Sequence, residues 1–208
     1  MGTDRRLALE LYRRHAPAYD SRVAVTQPTR RQAVARLRLE PGDIVLDVGC
    51  GTGLSFSLIQ TRIGSDGQLV GIELSPDMMA KARERVERGG WRNVTLIESA
   101  VEEAQIPGQV DAVLFHFTHD ILRSPEALEN VFQHVKRGGR IAAAGTKWAP
   151  WWAFPVNFYA WYIGRRYVTT FEGFARPWSH LERTVPDLRV APALFGGGYI
   201  AWGTVRKR

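Results

Sequence analysis

The chain has 208 residues, 45% of them hydrophobic and 24% charged. That is enough apolar content for one α/β domain with a real core; it leaves little room for two and excludes general disorder. The formal charge is +7, but the cations are spread in short pairs such as Arg13-Arg14, Arg30-Arg31 and Arg165-Arg166, with no long basic run and no nucleic-acid motif. Such a balance fits either a solubilising surface or attraction to anionic partners, including an anionic membrane. The lone Cys50 excludes an internal disulfide and fits a reducing, cytoplasmic setting, and residues 1–11 lack the apolar stretch of a signal peptide.

In chain order, Ala8–Tyr19 reads as an amphipathic lead-in helix and Arg30–Leu39 as a second helix, closed by the turn Pro41-Gly42. Ile44–Val48 is a compact strand, followed by a glycine loop and a helix over about Leu54–Arg62. Gln68–Ile72 is the next strand. Ser75-Pro76-Asp77 then has the grammar of a helix start, with a capping hydroxyl, Pro in the first turn and an acid at the positive end of the dipole. Gly89-Gly90 stops that helix. Val94–Ile97 and Ala112–Phe115 are further strands. Ser124-Pro125-Glu126 opens another helix with Leu128, Val131, Phe132 and Val135 as its buried stripe and Gly138-Gly139 as its end. Arg140–Ala144, Leu188–Phe195 and Tyr199–Val205 are the last strands, the final two joined by Gly196-Gly197-Gly198.

Alternating strands and helices predict a single α/β domain with a Rossmann-like, doubly wound sheet that is mainly parallel with a reversed C-terminal strand. Residues 1–40 form its lead-in, 41–145 its ligand-binding core, 146–180 an insertion and 181–208 the terminal strand pair. Trp148–Gly164 is the longest uncharged stretch, but it is short for a membrane span, contains Pro150 and Pro155, and precedes strands that must rejoin the sheet. In such sheets ligands bind at the carboxyl ends of the strands, where the strand order reverses.

The segment Val45-Leu46-Asp47-Val48-Gly49-Cys50-Gly51-Thr52-Gly53 sits at that edge. Its spacing is G-x-G-x-G, whereas a dinucleotide fingerprint wants G-x-G-x-x-G; position 54 is Leu, and Asp47 ahead of the loop is unwelcome beside a pyrophosphate. An acid there suits a ligand carrying an ammonium and a sulfonium. Glu73, at the end of the second strand, can accept both ribose hydroxyls of a nucleoside.

On the segments VLDVGCGTG, LVGIELSPDMMAKAR and RGGRIAAAG the chain resembles the class I S-adenosylmethionine-dependent methyltransferases, across roughly Ile44–Gly145. The resemblance implies S-adenosylmethionine as cofactor, S-adenosylhomocysteine as product and a small-molecule N, O or S acceptor. It places Asp47 and the loop Gly49, Cys50, Gly51, Thr52 and Gly53 around the methionine part, Glu73 on the ribose, and Leu74 and Met78 near the adenine. The family often carries an Asp after the third strand to touch the adenine amine. Here Ser99 stands there, followed by Ala100 and Val101, whose backbone amides remain available. Phe115 and His116 complete the cofactor set, and a lead-in tyrosine, Tyr19, would close over it.

Methyl transfer from a sulfonium asks the protein mainly to position and desolvate, and a base is needed only for a protonated acceptor. His116 and His119, leaving the fourth strand, are the catalytic candidates, and Asp120 is a partner able to orient one of them. No metal-ligand spacing appears. The aromatic segment Trp148–Trp178 reads in three ways: core covering the sheet edge, an acceptor pocket, or an interfacial patch at an anionic membrane that admits a phospholipid head group or lipophilic quinone. A nucleoside-binding regulatory protein without methyl transfer is the alternative of another class.

Overall fold

In the computed structural model the described residues are 24–206, other than 152–153, 155–156, 159–160 and 162–170. The expected lead-in helix Ala8–Tyr19, with Tyr19 itself, lies outside them. Helix α1 (Gln27–Arg36) leads into strand β1 (Ile44–Val48). Helix α2 (Phe56–Ile63), strand β2 (Gln68–Glu73), helix α3 (Pro76–Gly89) and strand β3 (Val94–Glu98) follow. Next come strand β4 (Val110–His116), the short helix α4 (His119–Leu122), helix α5 (Pro125–Gln133) and strand β5 (Val135–Thr146). Strands β6 (Arg189–Ala193) and β7 (Gly198–Thr204) close the fold.

The seven strands are ordered β3-β2-β1-β4-β5-β7-β6. β1 pairs in parallel with both β2 and β4, β2 with β3 and β4 with β5, whereas β7 runs antiparallel to β5 and to β6. This is the expected α/β sheet with one reversed terminal strand. The order reverses between β1 and β4, which opens a crevice at their carboxyl ends.

Side-chain alternation along buried parallel strands gives two cores, one per face. Leu46, Val48, Val113 and Phe115 pack with Leu128 and Val131 of α5 on one face. Val45, Leu114 and Ala142 pack with Ala33, Val34 and Leu37 of α1 and with Phe56, Ile59 and Ile63 of α2 on the other. Asp47 shares the parity of Val45, so its side chain turns toward the face covered by α1.

Several boundaries differ from the sequence reading. α1 starts three residues earlier than expected, because Pro28 suits a first turn, and it ends at Arg36, ahead of Arg38 at φ 48°. α2 begins at Phe56 because the turn that closes the glycine loop runs through Ser55. Gly138-Gly139 does not end a helix. α5 stops at Gln133, and the two glycines lie inside β5, where Gly138 takes φ +79° and the register against β4 shifts between Val110 and Ala112. A paired glycine after a helix reads as a stop, but here it builds a bulge. Val135, assigned to the helix stripe, is therefore a strand residue, and β6 ends at Ala193 rather than Phe195.

The two Ser-Pro starts behave as expected. Ser75 Oγ accepts from the Met78 amide and Ser124 Oγ from the Ala127 amide, at 3.4 and 3.1 Å. Replacing Ser124 with Ala should lower unfolding free energy by about 0.5–2 kcal/mol, read from denaturant midpoints; an unchanged midpoint would show the cap to be idle.

Candidate functional site

The crevice is lined by Arg30, Asp47, Gly49, Cys50, Gly51, Thr52, Leu54, Ser55 and His116. Its floor is the turn after β1. Gly49, Gly51 and Gly53 take φ of +65°, +58° and +76°, a region that side chains avoid. At Gly49 a Cβ would also collide with Thr118 Cγ2 at 2.7 Å. At Gly51 it would meet nothing within 4 Å, so this backbone faces open space in which a ligand can come close.

Glu73 sits under the loop. Its Oε2 accepts from the Gly51 amide at 2.9 Å and its Oε1 from the Ser75 amide at 2.8 Å, so the carboxylate clasps the glycine turn to the end of β2. Burial pushes its pKa up, and those amides, with that of Leu74, pull it back. Three amides leave the carboxylate with acceptor capacity for a further hydroxyl donor.

Asp47 is 1% exposed, and its Oδ2 has no hydrogen-bond partner among the described residues. Burial raises its pKa from 3.8 to about 7, against the opposing field of Arg30; Glu73 adds to the rise and a hydrogen bond with Ser55 opposes it. Arg30 is a site residue the sequence reading missed. It is 4% exposed, lines the crevice, and lies with Nη2 3.4 Å from His116 Nδ1. A signal for it was available: Arg30, Ala33, Val34 and Leu37 stand at i, i+3, i+4 and i+7, which puts the arginine on the buried stripe of α1. Seen as half of a basic pair, it had looked like surface.

The remaining expected residues divide. Cys50 and Thr52 are buried in the loop, with burial raising the Cys50 pKa well above 9.0. Met78 is buried at the start of α3, while Leu74 is half-buried. Ser99 follows β3, with its amide donating to the Glu73 carbonyl at 3.1 Å and its hydroxyl to the Ala100 carbonyl at 3.0 Å; Ala100 and Val101 are buried beside it. Phe115 is fully buried in the core on the opposite face from Asp47, so its ring is structural.

His116 ends β4 on the crevice wall. Burial and Arg30 hold its pKa well below 6.5. A guanidinium only donates, so Nδ1 accepts from Arg30 and the ring proton of His116 is on Nε2. His119 starts α4, is 8% exposed, and lies edge-on to Phe174. Its Nε2 is 3.2 Å from the Glu172 carbonyl, which only accepts, so that nitrogen carries the proton. Its Nδ1 is a buried lone pair with no partner among the described residues. Burial lowers the His119 pKa, the Glu172 carbonyl opposes this, and Arg123 assists it. Between the two histidines Phe117 holds φ 60°, a strained backbone for an aromatic residue. Among the described residues there is no His, Cys, Asp and Glu cluster fit for a metal.

A methyltransferase-domain family model matches residues 45–139, the stretch that builds this crevice. Over that stretch the chain is similar to the class I S-adenosylmethionine-dependent methyltransferases. Among curated relatives, a demethylmenaquinone methyltransferase of Listeria welshimeri is 26% identical over 163 residues, 74% of this chain and 69% of that protein. An arsenite methyltransferase of Halobacterium salinarum is 26% identical over 106 residues, 50% of this chain and 27% of that one. Among solved structures, the N-methyltransferase NodS of Bradyrhizobium japonicum, in complex with S-adenosylhomocysteine, superposes with a TM-score of 0.69 at 14% identity, covering 97% of this chain and 99% of that one. At that identity the likeness is one of fold.

The methyltransferase cofactor fits this crevice. An ammonium placed here would meet an unpartnered buried carboxylate oxygen at Asp47, and the backbone cradle open at Gly51 leaves room for close approach. The raised Asp47 pKa has a consequence for protons. The stability this group contributes is full below pH 3.8 and is lost as pH rises toward about 7, since the unfolded chain ionises first. A bound cation reverses the balance and ionises Asp47. Titration with S-adenosylhomocysteine at about pH 6 should therefore release a proton, seen as a binding heat that varies with the buffer's ionisation enthalpy; Asp47→Asn should abolish the variation, and a buffer-independent heat in the unaltered chain would refute it. Glu73→Ala should weaken S-adenosylhomocysteine binding by about 1–3 kcal/mol, while unchanged affinity in a folded variant would remove Glu73 from the ligand's partners.

Proposed function

We propose that this chain methylates an N, O or S atom of a small-molecule acceptor, with the cofactor lying along the β1 edge of the crevice. The observation that carries the reading is the buried Asp47 carboxylate, one oxygen of which has no partner among the described residues, beside Arg30 at the glycine turn. S-adenosylmethionine supplies the electrophilic methyl group when bound. Asp47 holds the ammonium of its methionine part, Arg30 the carboxylate, and the amides from Gly49 to Gly53 pack along it. Glu73 accepts the ribose hydroxyls while clasping the loop. Leu74 and Met78 flank the adenine, and the amides of Ala100 and Val101 with Ser99 meet its edge.

The two histidines take different parts. His116, with its proton on Nε2, donates a hydrogen bond at the crevice wall and stays uncharged beside Arg30. His119, with Nδ1 bare, accepts the acceptor's proton as transfer proceeds. Phe174 packs on His119 and Trp148 on Phe174, with ring centroids 5.2 and 4.9 Å apart, and these rings exclude water from the reacting atoms. The same aromatic wall favours a second reading, a lipophilic acceptor such as a quinone, in line with the names of the demethylmenaquinone relatives.

An acceptor screen following S-adenosylhomocysteine release tests the proposal; intact S-adenosylhomocysteine binding with no turnover on any N, O or S nucleophile would favour a nucleoside-binding regulator instead. His119→Ala should slow turnover by about 10²–10⁴ and leave S-adenosylhomocysteine affinity unchanged. Because the His119 pKa is lowered, the rate should fall only on the acid side of 6.5, and equal rates in the variant across that range would exclude His119 as base.

A further inference from the structure

The aromatic segment after β5 divides into two halves. Trp148, Phe171, Phe174 and Trp178 pack inward: Trp148 stacks on Phe171 at 5.5 Å, and Trp178 leans on Tyr199 at 4.8 Å. Trp151, Phe154, Phe158 and Trp161 are 88%, 72%, 65% and 40% exposed. Their spacing of three, four and three residues is that of one helical stripe, and Phe154, Asn157, Phe158 and Trp161 have helical backbone. A globular protein turns such a stripe inward, whereas here it faces out. Asn157 ties the segment to the body: its Oδ1 accepts from the Ala149 amide at 2.7 Å, and its Nδ2 donates to the Ala149 carbonyl at 3.1 Å.

A second element brings another exposed ring to the same place. Phe195 is 99% exposed in the turn between β6 and β7. Leu194 and Phe195 sit at φ 48° and 53°, left-handed conformations that non-glycine residues disfavour. A Cβ on Gly196 would lie 3.5 Å from the Pro150 ring, directly ahead of Trp151, and the Lys147 amide donates to the Gly197 carbonyl at 2.9 Å. Backbone strain is thus spent on holding a phenylalanine in water beside the outward stripe.

The sequence that carries the stripe has charge of one sign. Residues 147–171 contain Lys147, Arg165 and Arg166 and no acid, in a chain of net charge +7. Aromatic rings flanked by cations suit the boundary between head groups and acyl chains of an anionic bilayer. We propose that the stripe Trp151–Phe154–Phe158–Trp161, together with Phe195, is a docking surface for an anionic lipid membrane. The stripe inserts its rings to head-group depth, and the positive charge of the chain favours the anionic head groups. The inward rings connect this face to His119 through Trp148 and Phe174, so the docked side is also the side from which an acceptor reaches the site. The docking itself rests on none of the cofactor assignments.

Co-sedimentation of the full chain with phosphatidylcholine vesicles, with and without phosphatidylglycerol, tests this. The unaltered chain should pellet with the anionic vesicles, far less with the neutral ones, and less as salt rises. Phe154→Ser/Phe158→Ser and, separately, Phe195→Ser should each weaken vesicle binding by about tenfold or more. Both variants alter exposed side chains, and unchanged circular dichroism and S-adenosylhomocysteine binding would verify their fold. Vesicle binding that persists in a chain unable to bind S-adenosylhomocysteine would support the surface while sinking the cofactor reading. A chain that stays in the supernatant with anionic vesicles, variants that pellet as the unaltered chain does, or a dimer that these substitutions dissolve without any vesicle binding would each overturn the proposal.

Discussion

A carboxylate with almost no access to water, set against a guanidinium equally cut off from it, is the constraint around which this molecule is arranged. Asp47 and Arg30 meet where the sheet changes winding direction. Ion burial on this scale costs several kcal/mol per charge unless a partner and hydrogen bonds offset it. The protein supplies the partner from a separate element, α1, and leaves one carboxylate oxygen for something else. A fold seeking stability alone would place apolar groups here. The arrangement makes sense as preorganisation: the polar atoms are positioned and desolvated during folding, before any charged ligand arrives.

The surrounding structure serves that pair. The β1 register, matched to β2 and β4, fixes the depth of Asp47. Glu73 locks the glycine turn by its two amide contacts, and the strained Phe117 sets the angle at which the chain leaves β4 between the two histidines. Few of these features add contacts of the kind that stabilise a core. They determine where a handful of polar atoms point.

The pattern of the sheet was legible in the sequence because it depends on local signals. Alternating strand and helix periodicities, Ser-Pro caps and glycine punctuation fixed the element order, and β1 was read to the residue. The glycine bulge inside β5 was not legible, since Gly138-Gly139 after a helix has the same local grammar as a stop, and only pairing against β4 separates the two. The acid-glycine motif pointed to the crevice, yet Arg30 escaped because its role depends on α1 packing across Asp47, a contact between positions far apart in the chain. The histidines were legible as candidates, but the different nitrogens on which they carry their protons were not. Tautomers follow from partners, and Arg30 and the Glu172 carbonyl become neighbours of His116 and His119 only in three dimensions. The aromatic segment was likewise visible as composition, while its division into inward and outward halves is a matter of which residues the body covers.

One quiet position in β2 shows how far the crevice's shape reaches into the sheet. A methyl group on Gly71 would stand 3.0 Å from Cys50 Sγ, 3.0 Å from Leu96 and 3.2 Å from the Phe56 ring. The second residue of the glycine turn, a rung of the central ladder and the first residue of α2 therefore share one small volume. Bulk gained at position 71 must be surrendered at position 50, or the turn is lifted off the sheet. The reverse trade is closed, because glycine has nothing left to give, so a lineage that enlarges position 71 is obliged to shrink position 50 to keep the same floor beneath its ligand.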